Sequence, residues 1–208
     1  MRLHPRHTDL SARLLHFDFL YARDADPWRV RTSWNEEFKR RTVNFALGSQ
    51  RLATGLELGC GNGISTRALA PRFLDLLAID GSPEAIQRAR REVSSFPNVC
   101  IVEANLPLMV APGSLDAVIA SEVLYYLPQR TLIRTLQLAH AGLKVGGRLV
   151  STNHLKRFSD AACGHGQLTS LTRSIFGRET RSLIGSGWRC DVFRKADGRR
   201  AIPKDTGG

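Results

Sequence analysis

Cysteine is scarce and scattered in this chain. Cys60, Cys100, Cys163 and Cys190 stand far apart, with no CxxC pair and no zinc-ligand spacing. That speaks against a disulfide framework, so they read as reduced thiols with no structural metal. Long apolar runs are missing as well: none approaches the ~18 residues that a membrane span requires. The opening segment carries Arg2, His4, Arg6 and His7, then Asp9, Arg13 and Asp18. It lacks the charged-then-apolar order of a secretory signal, and a cytoplasmic chain is expected. No internal repeat and no low-complexity tract is present.

Acidic residues are the minority, 19 against 30 lysines and arginines, for a net charge of +11. Such a balance suits a polyanion such as nucleic acid. Arginine supplies 25 of the 30 cations, and they are spread from Arg2 to Arg200. Only short clusters form, at Lys39-Arg40-Arg41, Arg88-Ala89-Arg90-Arg91 and Arg199-Arg200. None is interleaved with the aromatics of a single-strand stacking platform. The charge reads as background, with no specific nucleic-acid partner expected.

What is present is an ordinary globular composition, 42% apolar and 24% charged, over 208 residues. That suffices for one domain with a substantial core. Residues 1–53 read as a helical cap, because Leu10, Leu14, Phe17 and Leu20-Tyr21 recur at helical spacing. Asp26-Pro27-Trp28 marks a turn, and a second helix is predicted from about Arg31 to Leu47, stopping at Gly48. From residue 54 strands and helices alternate. Strands are predicted at Gly55–Cys60, Leu74–Asp80, Val99–Ala104, Ala117–Ala120 and Arg148–Thr152. Helices are predicted near 64–71, 83–95, 129–143 and 165–176. This alternation implies an α/β doubly wound, mostly parallel sheet, with a core over 54–153. Residues 154–208 would supply a substrate-side helix and the last strands, Trp188–Lys195 among them, before a frayed polar tail. Ser82-Pro83-Glu84 is a well-formed helix start, with an N-cap serine, a first-turn proline and an acid.

The first predicted strand runs into Glu57-Leu58-Gly59-Cys60-Gly61-Asn62-Gly63. Glycines there let backbone approach a ligand with no side chain in the way. The spacing Gly59-x-Gly61-x-Gly63, with Ile64 next, fails the G-x-G-x-x-G of a dinucleotide fold. Glu57 can accept hydrogen bonds from a ligand ammonium or from loop amides. The second strand ends at Asp80, where an acid can grip both hydroxyls of a ribose; the alternative is a cap for the turn before Ser82. Ser121-Glu122-Val123-Leu124 lies at the carboxyl end of the fourth strand, where open α/β sheets place their sites.

The order Glu57–Gly63, Asp80, Ser121–Leu124 and Leu143-Lys144-Val145-Gly146-Gly147-Arg148-Leu149 resembles the class I methyltransferase superfamily over residues 54–153. Asp26-Pro27-Trp28-Arg29-Val30-Arg31-Thr32-Ser33-Trp34-Asn35-Glu36 looks like the corresponding N-terminal segment of the rhizobial NodS nodulation family. That likeness extends over nearly the whole chain, apart from the stretch Gly164–Gly187, which matches no motif. The resemblance implies a Rossmann-like sheet of seven strands with helices on both faces, and S-adenosyl-L-methionine as cofactor, with S-adenosyl-L-homocysteine as its product. It implies a cofactor set of Glu57, Gly59, Gly61, Asp80, Gly81, Ser82, Asn105, Leu106 and Ser121, in which Asn105 either receives the adenine amino group or is only a turn residue before Pro107. It also implies N-methylation of the free amine on the non-reducing-end glucosamine of a deacetylated chitooligosaccharide, in Nod factor biosynthesis.

Transfer to an amine needs a free nitrogen lone pair, so a nearby carboxylate would take the proton or orient the ammonium. Glu122 is the first candidate, the alternative being a solvated or capping acid. Tyr125 and Tyr126 can line a sugar subsite or belong to the core. His154 closes the next strand and is either catalytic or structural. From the cap, Arg31 can pair with the cofactor carboxylate, and Trp28 can serve as a lid or anchor its turn. The expected partner is a small oligosaccharide and the expected state a monomer. Competing readings are another small-molecule acceptor, an RNA methyltransferase, an NAD-dependent oxidoreductase and a non-catalytic cofactor binder. Base-methylating enzymes carry a proline-rich motif where this chain has Ser121-Glu122, and no cysteine here adjoins a proline.

Overall fold

Seven strands hydrogen-bond into a single sheet in a computed structural model that describes residues 10–197. The basic opening residues Arg2 to His7, the Arg199-Arg200 pair and the polar tail lie outside the described residues. In chain order the elements are α1 (Leu10–Arg23), α2 (Trp34–Ala46), β1 (Leu52–Leu58), α3 (Ile64–Leu69), β2 (Phe73–Asp80) and α4 (Pro83–Glu92). They continue with β3 (Val99–Glu103), β4 (Leu115–Ser121), α5 (Gln129–Gly142), β5 (Leu143–His154), α6 (His165–Phe176), β6 (Arg181–Ile184) and β7 (Trp188–Arg194). Strand order is β3-β2-β1-β4-β5-β7-β6. All neighbours are parallel except β7, which runs antiparallel to β5 and β6. The seven-stranded, mostly parallel sheet is the one the resemblance implied.

Alternate side chains of the central strands face opposite ways, so each strand feeds two cores. Val118, Ala120 and Leu149 join Leu132 and Leu136 of α5 and Leu168 and Phe176 of α6 on one face. Ala117, Ile119 and Val150 join Val43 and Ala46 of α2, Leu69 of α3 and Trp188 of β7 on the other. The chain leaves β1 toward β2 on one side and reaches β4 on the other. This reversal of strand order opens a crevice at the carboxyl ends of β1 and β4.

Several boundaries differ from those predicted, for local reasons. Helix α2 begins at Trp34, not Arg31. Asp26 ties down the amides of Val30 (2.7 Å) and Arg31 (2.8 Å) in a turn where Arg29 has φ +53°, so the helix waits for the Ser33 cap. Its far end lacks a basic residue in the last turn, and distant arginines supply the missing donors. Arg72 reaches the carbonyls of Asn44, Gly48 and Gln50, and Arg148 that of Leu47. Part of the basic charge is thus spent on structure. Strand β5 starts five residues before the predicted Arg148, because Leu143 pairs with Leu115 before a bulge resumes the ladder at Ala117 and Arg148. The edge strand β6 was absent from the sequence reading. Its Arg-Ser-Leu-Ile carries no alternation and exists by pairing with β7.

Helix α1 crosses to the start of α4. The Asp18 carboxylate accepts from the Ser82 hydroxyl (2.6 Å) and the Glu84 amide (3.1 Å), and Arg88 donates to the Tyr21 carbonyl (2.8 Å). The cap is thereby roped over the crevice. Among the described residues no helix is long and apolar enough to cross a membrane, and no cluster of potential metal ligands forms.

Candidate active site

The crevice holds a cavity of about 390 Å³, floored by the ends of β1, β2 and β4 and roofed by α1 and the turn around Trp28. It is within the range of small-molecule sites. The glycine loop forms one wall. Gly61 sits at φ +55° with the Tyr21 hydroxyl pressed against the place a Cβ would take, and Gly63 at φ +82° abuts the backbone of Ala89 in α4. Any side chain at either position would strain the backbone and collide.

Asp80 staples this loop. Its Oδ2 accepts from the Gly61 amide and its Oδ1 from the Ser82 amide, each at 2.9 Å. Burial raises its pKa, while these amides pull it back down. Both roles foreseen for Asp80 are therefore open to it: it caps the turn, and each oxygen keeps a lone pair for the cavity it lines. Glu57 is more buried, at 2% exposure, and its Oε2 has no close hydrogen-bond partner among the described residues, although the buried Thr66 hydroxyl lies near enough to favour its charged form. Burial pushes its carboxyl up to about 7 against an ordinary 4.5. An orphaned carboxylate oxygen of this kind wants a donor or a cation.

Of the positions named from sequence, Trp28, Glu57, Gly59, Gly61, Asp80, Gly81, Asn105, Leu106, Ser121, Glu122, Tyr126 and His154 all line the cavity. Ser82 and Arg31 do not. Ser82 is fully buried as the α4 cap, accepting from Ala85 and donating to Asp18. Arg31 is 55% exposed and pairs with Glu92 of α4 at 2.5 Å, because the Asp26 turn aims it outward. Neither side chain lines the cavity, so their expected cofactor contacts have no counterpart in this arrangement. The cations that do line the cavity are Arg13, whose guanidinium meets the Asp160 carbonyl, and Lys39. From the sequence Lys39 stood out only as part of the short basic cluster Lys39-Arg40-Arg41. The signal that distinguishes it is Glu36 one helical turn earlier, beside the Ser33 cap.

Glu122 sits just beyond β4 with φ +58°, a conformation non-glycine residues avoid. Its amide donates to the Thr152 carbonyl (2.8 Å). Its Oε2 accepts from the Tyr125 hydroxyl (2.8 Å), and its Oε1 accepts from Lys39 (3.0 Å) and lies 3.8 Å from His154 Nε2. Aromatic rings close the roof. Trp28, 40% exposed, meets Tyr21 edge-on at 5.2 Å, and Phe17 meets Tyr126 edge-on at 4.8 Å. Phe158 covers the His154 ring at 4.7 Å. Tyr125 is buried and Tyr126 half-buried, and both line the cavity. Burial raises the Tyr126 phenol, which keeps it a neutral hydrogen-bonding group.

The comparisons with known proteins agree with this picture. Residues 11–142 match the family described as Nodulation protein S (NodS). The Nodulation protein S of Sinorhizobium fredii is 30% identical over 135 residues, 62% of this chain and 62% of that protein. The Nodulation protein S of Bradyrhizobium diazoefficiens is 33% identical over 105 residues, 49% of each. The aligned stretches thus cover less than two thirds of these relatives. The crystal structure of N-methyltransferase NodS from Bradyrhizobium japonicum WM9 in complex with S-adenosyl-L-homocysteine superposes with a TM-score of 0.79. It is 22% identical and covers 88% of this chain and 98% of that one, a likeness of fold.

Proposed function

The chain belongs to the NodS family, and from that premise we propose that it is an S-adenosylmethionine-dependent N-methyltransferase. Its acceptor, on this reading, is the free amine of the non-reducing-end glucosamine of a deacetylated chitooligosaccharide. The observation that carries the reading is the pairing, in one cavity, of a glycine loop stapled by Asp80 with two carboxylates set apart by environment. Glu57 is buried with an orphaned oxygen, and Glu122 is held at the rim by Lys39 and Tyr125.

The residues present fit such a cofactor. The Glu57 oxygen suits an ammonium, the remaining lone pairs of Asp80 suit ribose hydroxyls, and Asn105 offers a carbonyl to an adenine amino group. Gly81 and Leu106 leave room beside it, and Ser121 contributes a hydroxyl. When bound, S-adenosylmethionine supplies an electrophilic methyl group. This chain has then to hold the acceptor nitrogen in line and unprotonated. Glu122 is the group to attract the ammonium and take its proton, with His154 beside it. Phe158 and Tyr126 line the same cavity and offer aromatic surface to a sugar. Trp28, Tyr21 and Phe17 roof the cavity with aromatic surface.

Methyl transfer from labelled cofactor, offered to chitooligosaccharides with and without a free terminal amine, tests the reading. Transfer is expected only to the free amine, because an amide nitrogen lends its lone pair to the carbonyl. Equal rates on both would sink the acceptor assignment. No transfer to either would point instead to another acceptor or to a chain that binds the cofactor without using it.

A further inference from the structure

A lysine ammonium is rarely buried, since leaving water costs it several kcal/mol unless it is paired. Lys39 is 3% exposed, yet it lies in the wall of the cavity. It is one of only five lysines in a chain that uses arginine elsewhere. Its Nζ stands between two carboxylates, 2.5 Å from Glu36 Oε1 and 3.0 Å from Glu122 Oε1. Glu36 is fixed in turn by the first turn of α2 behind the Ser33 cap. The ammonium is therefore held at a set place by the cap and presented to the catalytic loop.

Such a group does little for stability that an apolar side chain of the same length would not do as well. Its effect on Glu122 is specific. Glu122 occupies a left-handed backbone conformation that its neighbours have to enforce. Tyr125 holds one carboxylate oxygen and Lys39 the other, which leaves one direction for each remaining lone pair. The electrostatics point the same way. Glu36 and Glu122 flank a single ammonium, so the trio carries one uncompensated negative charge. Without the ammonium the two carboxylates would lose the cation between them, and like charges disfavour each other's ionised form. A neutral Glu122 neither attracts an ammonium nor takes its proton.

We propose that Lys39 is a positioning residue for the acceptor amine: by bridging Glu36 and Glu122 it keeps Glu122 ionised and aimed into the cavity. This rests on the amine-methylating reading above. The groups that face Glu122 are Lys39 and, through it, Glu36 from α2, Tyr125 from its own loop and His154 from β5. Arg13 from α1 and Asp160 from the loop after β5 line the same cavity. Tyr126, whose ring packs against Tyr125, lines it as well.

The test compares Lys39→Met, Lys39→Arg and the double variant Lys39→Met with Glu36→Gln. Two readouts are taken: the pH profile of kcat/KM for the free-amine oligosaccharide, and ¹³C NMR titration of the Glu122 carboxyl in the ligand-free chain, identified by its loss in Glu122→Gln. In Lys39→Met the Glu122 midpoint should move up by about one pH unit or more, which is about tenfold in the ionised fraction on the acid side. The acid limb of kcat/KM should follow it, while the affinity for S-adenosyl-L-homocysteine stays the same. Lys39→Arg should keep the midpoint, and Glu36→Gln should bring it back in the Lys39→Met chain by removing the competing carboxylate. A fall in rate that is uniform across pH, or a Glu122 midpoint that does not move, would overturn the inference. Inactivity of the unaltered chain toward the amine would overturn the functional reading instead, and the NMR titration would still decide whether Lys39 governs Glu122.

Discussion

Replacing Glu57 by glutamine keeps the shape of the side chain and removes its charge. In the unfolded chain the carboxyl titrates at its ordinary 4.5; in the fold burial pushes it to about 7. The folded state therefore holds the proton more tightly. Below about pH 4.5 the group is neutral in both states and costs nothing. As pH rises toward 7 the unfolded chain ionises first and stability falls, and above 7 the whole cost is present. The difference of about 2.5 pH units, at 1.36 kcal/mol each, comes to about 3 kcal/mol. For a chain of this size each kcal/mol moves the melting temperature by about 2–4 °C, so about 6–12 °C is at stake. Thermal melts of the ligand-free chain followed by circular dichroism should therefore show Glu57→Gln melting higher than the parent at pH 8 and level with it at pH 4.5. The same variant should bind S-adenosyl-L-homocysteine more weakly, because its amide no longer attracts a cation. The parent chain at pH 6 should release a proton on binding, visible by calorimetry in buffers of different ionisation enthalpy. A Glu57→Gln chain that melts lower than the parent at pH 8, or a difference independent of pH, would refute the reasoning that the buried oxygen waits for a ligand.

The other expectations are more local. Asp80→Asn turns one of two amide acceptors into a donor facing a donor, and should weaken S-adenosyl-L-homocysteine by about 1–3 kcal/mol, read by titration calorimetry. Gly61→Ala forces a side chain into a left-handed position against the Tyr21 hydroxyl. It should weaken the same ligand by at least ~1–2 kcal/mol from backbone strain alone, and adding Tyr21→Phe should return part of the loss. Arg31→Ala breaks an exposed pair with Glu92, and the cofactor affinity should change by no more than about twofold. A large loss there would show that the side chain swings inward on binding.

The site was partly legible without coordinates because much of it is backbone. The left-handed glycines of Gly59–Gly63 and the acid closing the second strand are local features, set by strand and turn geometry. Glu122 was legible for the same reason, as the residue following a strand end at the sheet's reversal point. Arg31 and Lys39 show where such reading stops. Both lie in the N-terminal cap, Arg31 beside the Trp28 turn and Lys39 on the following helix. Which of them turned inward depended on the Asp26 carboxylate, which ties the Val30 and Arg31 amides and delays the helix by three residues. Within α2 the buried face is set by packing, which turns Lys39, Val43 and Ala46 inward together. The cation that reaches the cavity is accordingly Lys39.

What the sequence by itself determined is the alternation of strands and helices, the glycine turn and the Ser82 helix start. Each follows from interactions within a few residues of one another. Only the tertiary structure decided the rest. It put Asp18 of α1 onto the cap of α4, Arg72 and Arg148 onto the end of α2, and β6 onto the edge of β7. It also brought Lys39 within 3.0 Å of a glutamate 83 positions away. The reason is physical. A charged side chain takes whichever partner the packing brings within a few ångströms, and nothing in the spacing of residues along the chain encodes that distance.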